Sequence, residues 1–188
     1  MRLVGVLVLV GLAVAVYVYS GRADVAATSP HWAVTEWVLS TAMERSVEHH
    51  AEGIEPPASL DEPARVREGA EAYDAMCVVC HGAPGIEPGP VGQGLEPEPP
   101  DLADEAGEWS AAELFWITKH GVRMTGMPAF GPTHSDAEIW DVVAFLQLLP
   151  GLSADRYAAL AGRSEGTPPG HAGHPHTHHH EHAEHDEP

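Results

Sequence analysis

The sequence is poor in cysteine and in positive charge. Its 188 residues include only two cysteines, Cys77 and Cys80, which lie too close together to cross-link distant parts of a fold. Nine Lys and Arg residues stand against 28 Asp and Glu residues, so the formal net charge is −19. Phosphate binding needs a basic surface, and nucleic acid is therefore excluded as a partner. The acidity favours partners with a basic docking surface, with solubility alone as the alternative.

Strand-like alternation of polar and apolar residues is lacking across residues 61–150, which we interpret as the one globular domain. Two capping boxes, Ser110 with Glu113 and Ser135 with Glu138, each predict the start of a helix. A domain of about 90 residues buries a marginal core and usually needs a disulfide, a metal or a cofactor. The pattern predicts an all-α domain with long loops, whose core is completed by a large apolar cofactor.

A long apolar run occupies the N-terminal part of the sequence. Residues 3–19 contain no charge, with Arg2 before them and Arg22 after them. A run of this length is at the short end for a spanning helix and long for a signal peptide. Residues 1–22 are therefore predicted to form a transmembrane anchor, with a cleaved signal peptide as the alternative. Both interpretations place the rest of the chain outside the cytoplasm.

Residues 23–60 are predicted to form a juxtamembrane amphipathic helix followed by a linker. The helix would run over His31–His50, with Thr28 or Ser29 as its N-cap. Its apolar residues recur at helical spacing and form one stripe. They are Val34, Trp37, Val38 and Ala42. The stripe is expected to lie either at the membrane surface or against the domain.

The two cysteines and the next histidine form one short motif. Cys77-Val78-Val79-Cys80-His81 has the form C-x-x-C-H, the attachment sequence for c-type haem. Two thiols one helical turn apart can each add to a vinyl group on one edge of a porphyrin, while the adjacent imidazole binds iron. A thioredoxin-like redox pair would need a βαβ setting, and a zinc site would need further ligands at short spacing. The motif predicts one covalently bound haem c, with His81 as the proximal iron ligand.

A second axial ligand to the iron is expected downstream of the motif. The candidates are His120, Met124, Met127 and His134. Both methionines fall in one long loop, and only Met127 precedes a proline, whose fixed φ would help to aim the thioether. Met127 is the predicted ligand, with Met124 as the main alternative. His120 is interpreted as a partner of a helix dipole and His134 as a surface residue.

Residues 151–188 are predicted to form a disordered tail rich in histidine. From Arg163 onward the chain is built of Gly, Pro, Ser and Thr and then of His and acidic residues, which cannot bury a core. Imidazole nitrogens at this density can bind Cu, Ni or Zn. The candidate ligands are His174, His176, His178, His179, His180 and His182. A solvated tail without bound metal, or a purification aid, is the alternative.

Four groups of residues within 61–150 resemble the class I cytochrome c family, in particular the cytochrome c domains of cbb3-type oxidase subunit III. They are Gly69 with Tyr73, Cys77–His81, Met127–Phe130 and Trp140–Leu146. The resemblance implies three to four helices around one haem, which the C-x-x-C-H motif and Met127 would hold. It also implies that the helix carrying Gly69 and Tyr73 crosses the C-terminal helix of the domain. Only one C-x-x-C-H motif is present, so a diheme subunit is excluded.

These features together predict a monohaem c-type cytochrome anchored in the bacterial cytoplasmic membrane by one helix, with its haem domain in the periplasm. Two occupied axial positions would leave no open site on the iron, which favours one-electron transfer over catalysis. Such a carrier needs a redox protein as donor and another as acceptor in a respiratory or related chain. The alternatives are an electron-entry haem subunit of a larger membrane dehydrogenase, reductase or oxidase, and a haem gas sensor.

Overall fold

The computed structural model describes residues 2–163, and the predicted all-α fold is confirmed within them. Every named element there is a helix, and two short 3₁₀ turns, Gly92–Gly94 and Ala106–Glu108, interrupt the loops. The α-helices are α1 (Arg2–Tyr19), α2 (Ala33–Ala51), α3 (Pro63–Met76), α4 (Val78–His81), α5 (Leu102–Glu105), α6 (Ala111–His120), α7 (Asp136–Leu148) and α8 (Ala154–Leu160). The disorder predicted for residues 164–188 lies outside the described part of the chain.

The core forms where α3 crosses α7. Gly69 on α3 allows this contact, because a Cβ at that position would overlap the backbone carbonyl of Asp141 on α7. Tyr73 lies one turn further along α3 and packs against Phe145, with 5.2 Å between the ring centroids, and both side chains are fully buried. α6 joins the same core because Phe115 stacks on Trp140 of α7 at 4.2 Å. This crossing fixes the end of α3, where the C-x-x-C-H motif begins.

Gly69→Ala is expected to destabilise the folded domain by about 3 kcal/mol, because the added methyl group forces α3 and α7 apart. This loss outweighs the roughly 1 kcal/mol by which alanine is the better helix former. Gly94→Ala is the matched control, since a Cβ there meets no atom within 4 Å. Urea denaturation of both variants measures the difference. Equal midpoints for the two variants would contradict the close helix crossing.

The domain boundary predicted at residue 150 is corrected by the structure, because α8 extends the folded region to Arg163. Ser153 accepts a hydrogen bond from the Arg156 N–H and caps the helix. Tyr157 is 1% exposed and donates a 2.7 Å hydrogen bond to the buried carboxylate of Asp74 on α3. A specific buried partner therefore holds a segment that was predicted to be disordered.

α2 begins later than predicted and docks by its C-terminal half. Trp32 is the N-cap without a side-chain hydrogen bond, while Ser29 Oγ donates to Asp24 instead. Val47 and Ala51 are the buried residues of the helix, which packs against α6. The residues of the predicted stripe (Val34, Trp37, Val38 and Ala42) are exposed. The stripe does not lie against the domain.

Candidate functional site

The C-x-x-C-H motif forms a single helical turn directly after α3. Cys77 ends α3 by donating its N–H to the Tyr73 carbonyl at 2.8 Å. The N–H groups of Cys80 and His81 both donate to the Cys77 carbonyl at 3.0 Å, which closes α4. Gly82, at φ 65°, then ends the turn. Because residues three apart on a helix are neighbours, Cys77 and Cys80 present their half-buried free thiols on one side.

The His81 ring is oriented by a backbone carbonyl. Its Nδ1 lies 2.9 Å from the Pro100 carbonyl oxygen, which can only accept, so Nδ1 carries the proton. The lone pair on Nε2 is then left for a metal ion, as in other metal-binding histidines. Burial lowers the pKa of His81 and so favours the neutral ring, against smaller opposing effects of Pro100 and Asp101. The imidazole is prepared for ligation on its Nε2 side.

The Cys77 thiol is not activated as the attacking thiol of a redox pair would be. Removal from water, and secondly the neighbouring Cys80, raise the pKa of Cys77 to about 12. Thioredoxin-like C-x-x-C pairs work through a thiolate whose pKa is lowered. The motif also ends an α-helix in a domain without described strands, rather than following a strand. Both observations argue against the redox-pair alternative.

The loop after α4 is built closely around the motif. Gly89 donates its N–H to the Val79 carbonyl at 3.0 Å. A Cβ at Gly92 would overlap the carbonyl of Cys80, so the loop backbone touches the motif directly. Tyr73 donates its hydroxyl to the Gly82 carbonyl at 2.7 Å and ties the turn to the core. These contacts fix the two sulfurs and the imidazole relative to one another.

A second loop, which follows α6, carries the two methionines. Val122 donates its N–H to the Met127 carbonyl at 3.3 Å, and the Met127 N–H donates to Thr125 Oγ1 at 3.1 Å. Gly121, at φ 65°, lies against the backbone of Pro128 and brings the two ends of the loop together. Met127 is half-buried, whereas Met124 has φ 64° and a side chain that is 75% exposed. The loop therefore turns Met124 outward and holds Met127 by its backbone.

The two histidine candidates make other contacts. The His120 ring packs on Trp116 with centroids 5.1 Å apart, and His50 of α2 packs on the same indole at 5.2 Å. His134 Nδ1 is 2.9 Å from Thr133 Oγ1. The six tail histidines proposed as ligands lie outside the described residues. Within residues 2–163 no group of three or more His, Cys, Asp or Glu side chains is arranged to hold a metal ion.

Residues 64–146 match the family model described as cytochrome C oxidase, cbb3-type, subunit III. This segment is a class I cytochrome c domain. It runs from α3 through α7 and so contains the motif turn and the methionine loop. No curated protein matches the chain. A cytochrome c domain implies haem c and electron exchange with redox partners, and the residues fit that cofactor: two free thiols on one side of a turn, and a histidine whose Nε2 is available.

Sequence reasoning from the motif did not find two groups that support this cytochrome c domain. One is the Pro100 carbonyl, which orients His81 from a position 19 residues away. The other is the buried Asp74, which is bonded to Tyr157 and Arg163. A carbonyl has no side-chain signature, and the pairing of Asp74 with residues over 80 positions away leaves no local pattern. The only available signal was a charged residue on the apolar face of α3.

Proposed function

We propose that this chain is a membrane-tethered monohaem cytochrome c that carries single electrons at the periplasmic face of a bacterial membrane. The turn at Cys77–His81 carries the proposal. Cys77 and Cys80 would hold one haem c through thioether bonds, His81 Nε2 would bind the iron, and Met127 would supply the second axial ligand. When bound, haem c supplies an iron centre that exchanges one electron. Covalent attachment of haem is a chemistry of the outer side of the membrane, which favours the periplasmic placement.

The surface around the motif favours a partner with a basic docking face. The segment from Glu68 to Thr118 contains the motif and no Lys or Arg. Several of its acidic side chains are exposed, including Glu87, Glu98 and Asp101. A surface of one sign attracts a partner of the opposite sign and speeds their encounter. The domain would thus dock redox partners through charge complementarity.

Electron exchange of the haem-loaded full chain is expected to depend on the charge of the reagent. A cationic metal complex should reduce it in a one-electron step whose rate falls roughly tenfold from low to high salt, because salt screens the attraction. An anionic complex of matched potential is the control and should react faster as salt is added. Stopped-flow absorbance measures both rates. Absence of a reversible one-electron couple would contradict the carrier function. If the two complexes responded to salt in the same way, the proposal of a partner with a basic docking face would be contradicted.

Two helices support the membrane tether. α1 is apolar along its length, is exposed on all sides, and meets the length and composition of a spanning helix. The stripe on α2 follows it, and the exposed Trp32 and Trp37 are residue types enriched at membrane interfaces. Residues 25–43 contain a single charged side chain, Glu36, in a chain of net charge −19. We infer that α1 spans the bilayer and that the N-terminal half of α2 lies in its interface.

Lipid-borne photolabelling of the full chain in phosphatidylcholine vesicles is expected to mark both helices. Label should appear on residues 2–19 and on residues 32–38. The double variant Trp37→Glu with Val38→Glu should lose most of the label on α2, because it is costly to place charge in the membrane interface. It should keep the label on α1. Arg45→Glu, on the exposed side of the docked half of α2, is the control and should change neither. Label confined to α1 would contradict the interfacial helix, and no label on α1 would contradict the tether.

A second candidate function is an electron-entry subunit of a larger membrane enzyme. The observation that favours it is the matched family model, whose description names a subunit of an oxidase. Mild detergent extraction should then yield this chain in a stable complex with a large integral membrane partner, whereas a free carrier would elute alone.

The tail histidines remain our proposed site for Cu, Ni or Zn, on the basis of composition.

A further inference from the structure

A buried ion pair lies beneath the start of the haem motif. Asp74 on α3 is fully buried, and its Oδ1 accepts hydrogen bonds from Tyr157 Oη at 2.7 Å and from Arg163 Nη1 at 2.6 Å. The Arg163 side chain is only 10% exposed. A carboxylate removed from water in this way is costly unless an opposite charge balances it. Arg163 supplies that charge from outside the segment that matches the cytochrome model.

The ion pair is connected to the motif through α3 and through packed tyrosine side chains. Asp74 precedes Cys77 by three residues on one helix, a rise of about 4.5 Å. Tyr157 also packs edge-on against Tyr73, with 6.3 Å between centroids, and Tyr73 holds the Gly82 carbonyl. The contacts run through a cluster of buried aromatic side chains. Charges interact over longer distances in such an interior than they do in water.

We propose that Arg163 sets the redox potential of the cytochrome by cancelling the buried charge of Asp74. The inference rests on the proposed haem attachment at Cys77 and Cys80. An unbalanced negative charge near the motif would stabilise the oxidised, more positive form of the site, and an unbalanced positive charge would stabilise the reduced form. The neutral pair keeps the potential between these limits. α8 and the chain up to Arg163 then belong to the functional unit.

Spectroelectrochemistry of the haem-loaded full chain tests the proposal, because the two charges must act with opposite sign. Asp74→Asn should raise the potential, since arginine remains charged at every accessible pH. Asp74→Asn with Arg163→Gln should return it towards the wild-type value. Arg163→Gln should lower the potential, and Arg163→Lys should leave it nearly unchanged because the charge is kept. If the pair were only structural, each substitution would loosen the packing around the motif and admit water, which favours the oxidised form. All the variants would then shift the potential in the same direction.

Tyr157→Phe is the control for packing, because it removes a hydrogen bond and keeps both charges. Its denaturation midpoint should fall while its potential stays near the wild-type value. The proposal is overturned if Asp74→Asn lowers the potential or leaves it unchanged, or if the double variant moves as far as Asp74→Asn does. Should Asp74→Asn fail to fold, a potential of Arg163→Gln equal to that of Arg163→Lys would overturn it instead. Wild-type protein without covalent haem would contradict the proposed function itself, and so the two failures are distinguishable.

Discussion

Cys77→Ala with Cys80→Ala is expected to give a chain without covalent haem and with a largely unfolded domain. The polypeptide core between α3, α6 and α7 is small, and domains of this size usually depend on a cofactor for part of their apolar interior. Both thioether positions are lost in this variant, while the axial ligands are kept. Haem that resists acid–acetone extraction, the pyridine haemochrome spectrum and far-ultraviolet circular dichroism measure the result.

Val79→Ala is the matched control for the double cysteine variant, because Val79 lies between the two cysteines in the same turn and is 37% exposed. It should keep the extraction-resistant haem and change the free energy of unfolding by less than about 1 kcal/mol. Retained covalent haem in the double cysteine variant would contradict attachment at these residues. Two haems per wild-type chain would contradict the monohaem assignment.

Signals that act over a few residues were predicted well from the sequence. Ser110 and Ser135 both form the complete capping boxes that their glutamates at the third helical position indicated. A capping box needs only four consecutive residues, and its hydrogen bonds form regardless of which other elements pack against the helix. The all-α fold followed from the same kind of local evidence.

Features that depend on distant partners were missed. Asp74 and Arg163 are 89 residues apart in sequence, so nothing near Arg163 indicates that the chain is still folded there. α2 shows the same limit, because Ser29 could cap a helix but is bonded to Asp24 instead. Trp32 is therefore the N-cap residue, and its side chain has no hydrogen-bond acceptor. Competition between alternative partners is decided by tertiary structure.

The carrier function depends on a closed coordination shell, and the axial ligand decides whether the shell is closed. A site with two protein ligands exchanges electrons with little rearrangement, whereas a displaceable ligand opens the iron to small molecules. The structure distinguishes the environments of the two methionines in the loop: Met124 is exposed at a positive φ, and Met127 is half-buried with both its N–H and its carbonyl hydrogen-bonded. Since an exposed ligand would be easily displaced, the burial of Met127 favours a carrier over a gas sensor.

Met127→Ala is therefore expected to change the haem site strongly. A thioether stabilises ferrous iron, so the variant should lose the weak sulfur-to-iron band in the far red and should show a much lower potential, within the ~0.8 V range that axial ligands control. It should also bind carbon monoxide when reduced. Optical spectra of the oxidised and reduced forms and a redox titration measure these changes.

Met124→Ala is the matched control, since it removes the same side chain three residues earlier in the same loop. Its exposed position predicts an unchanged band and potential and a stability change within about 0.5 kcal/mol. If Met124→Ala loses the band and Met127→Ala keeps it, the ligand assignment is reversed while the fold and the carrier function stand. If both variants keep the spectrum and the potential of the wild type, neither of these two sulfurs binds the iron. His120 or His134 would then have to leave its present contact to ligate, and a ligand that must move to bind would favour the gas-sensor alternative.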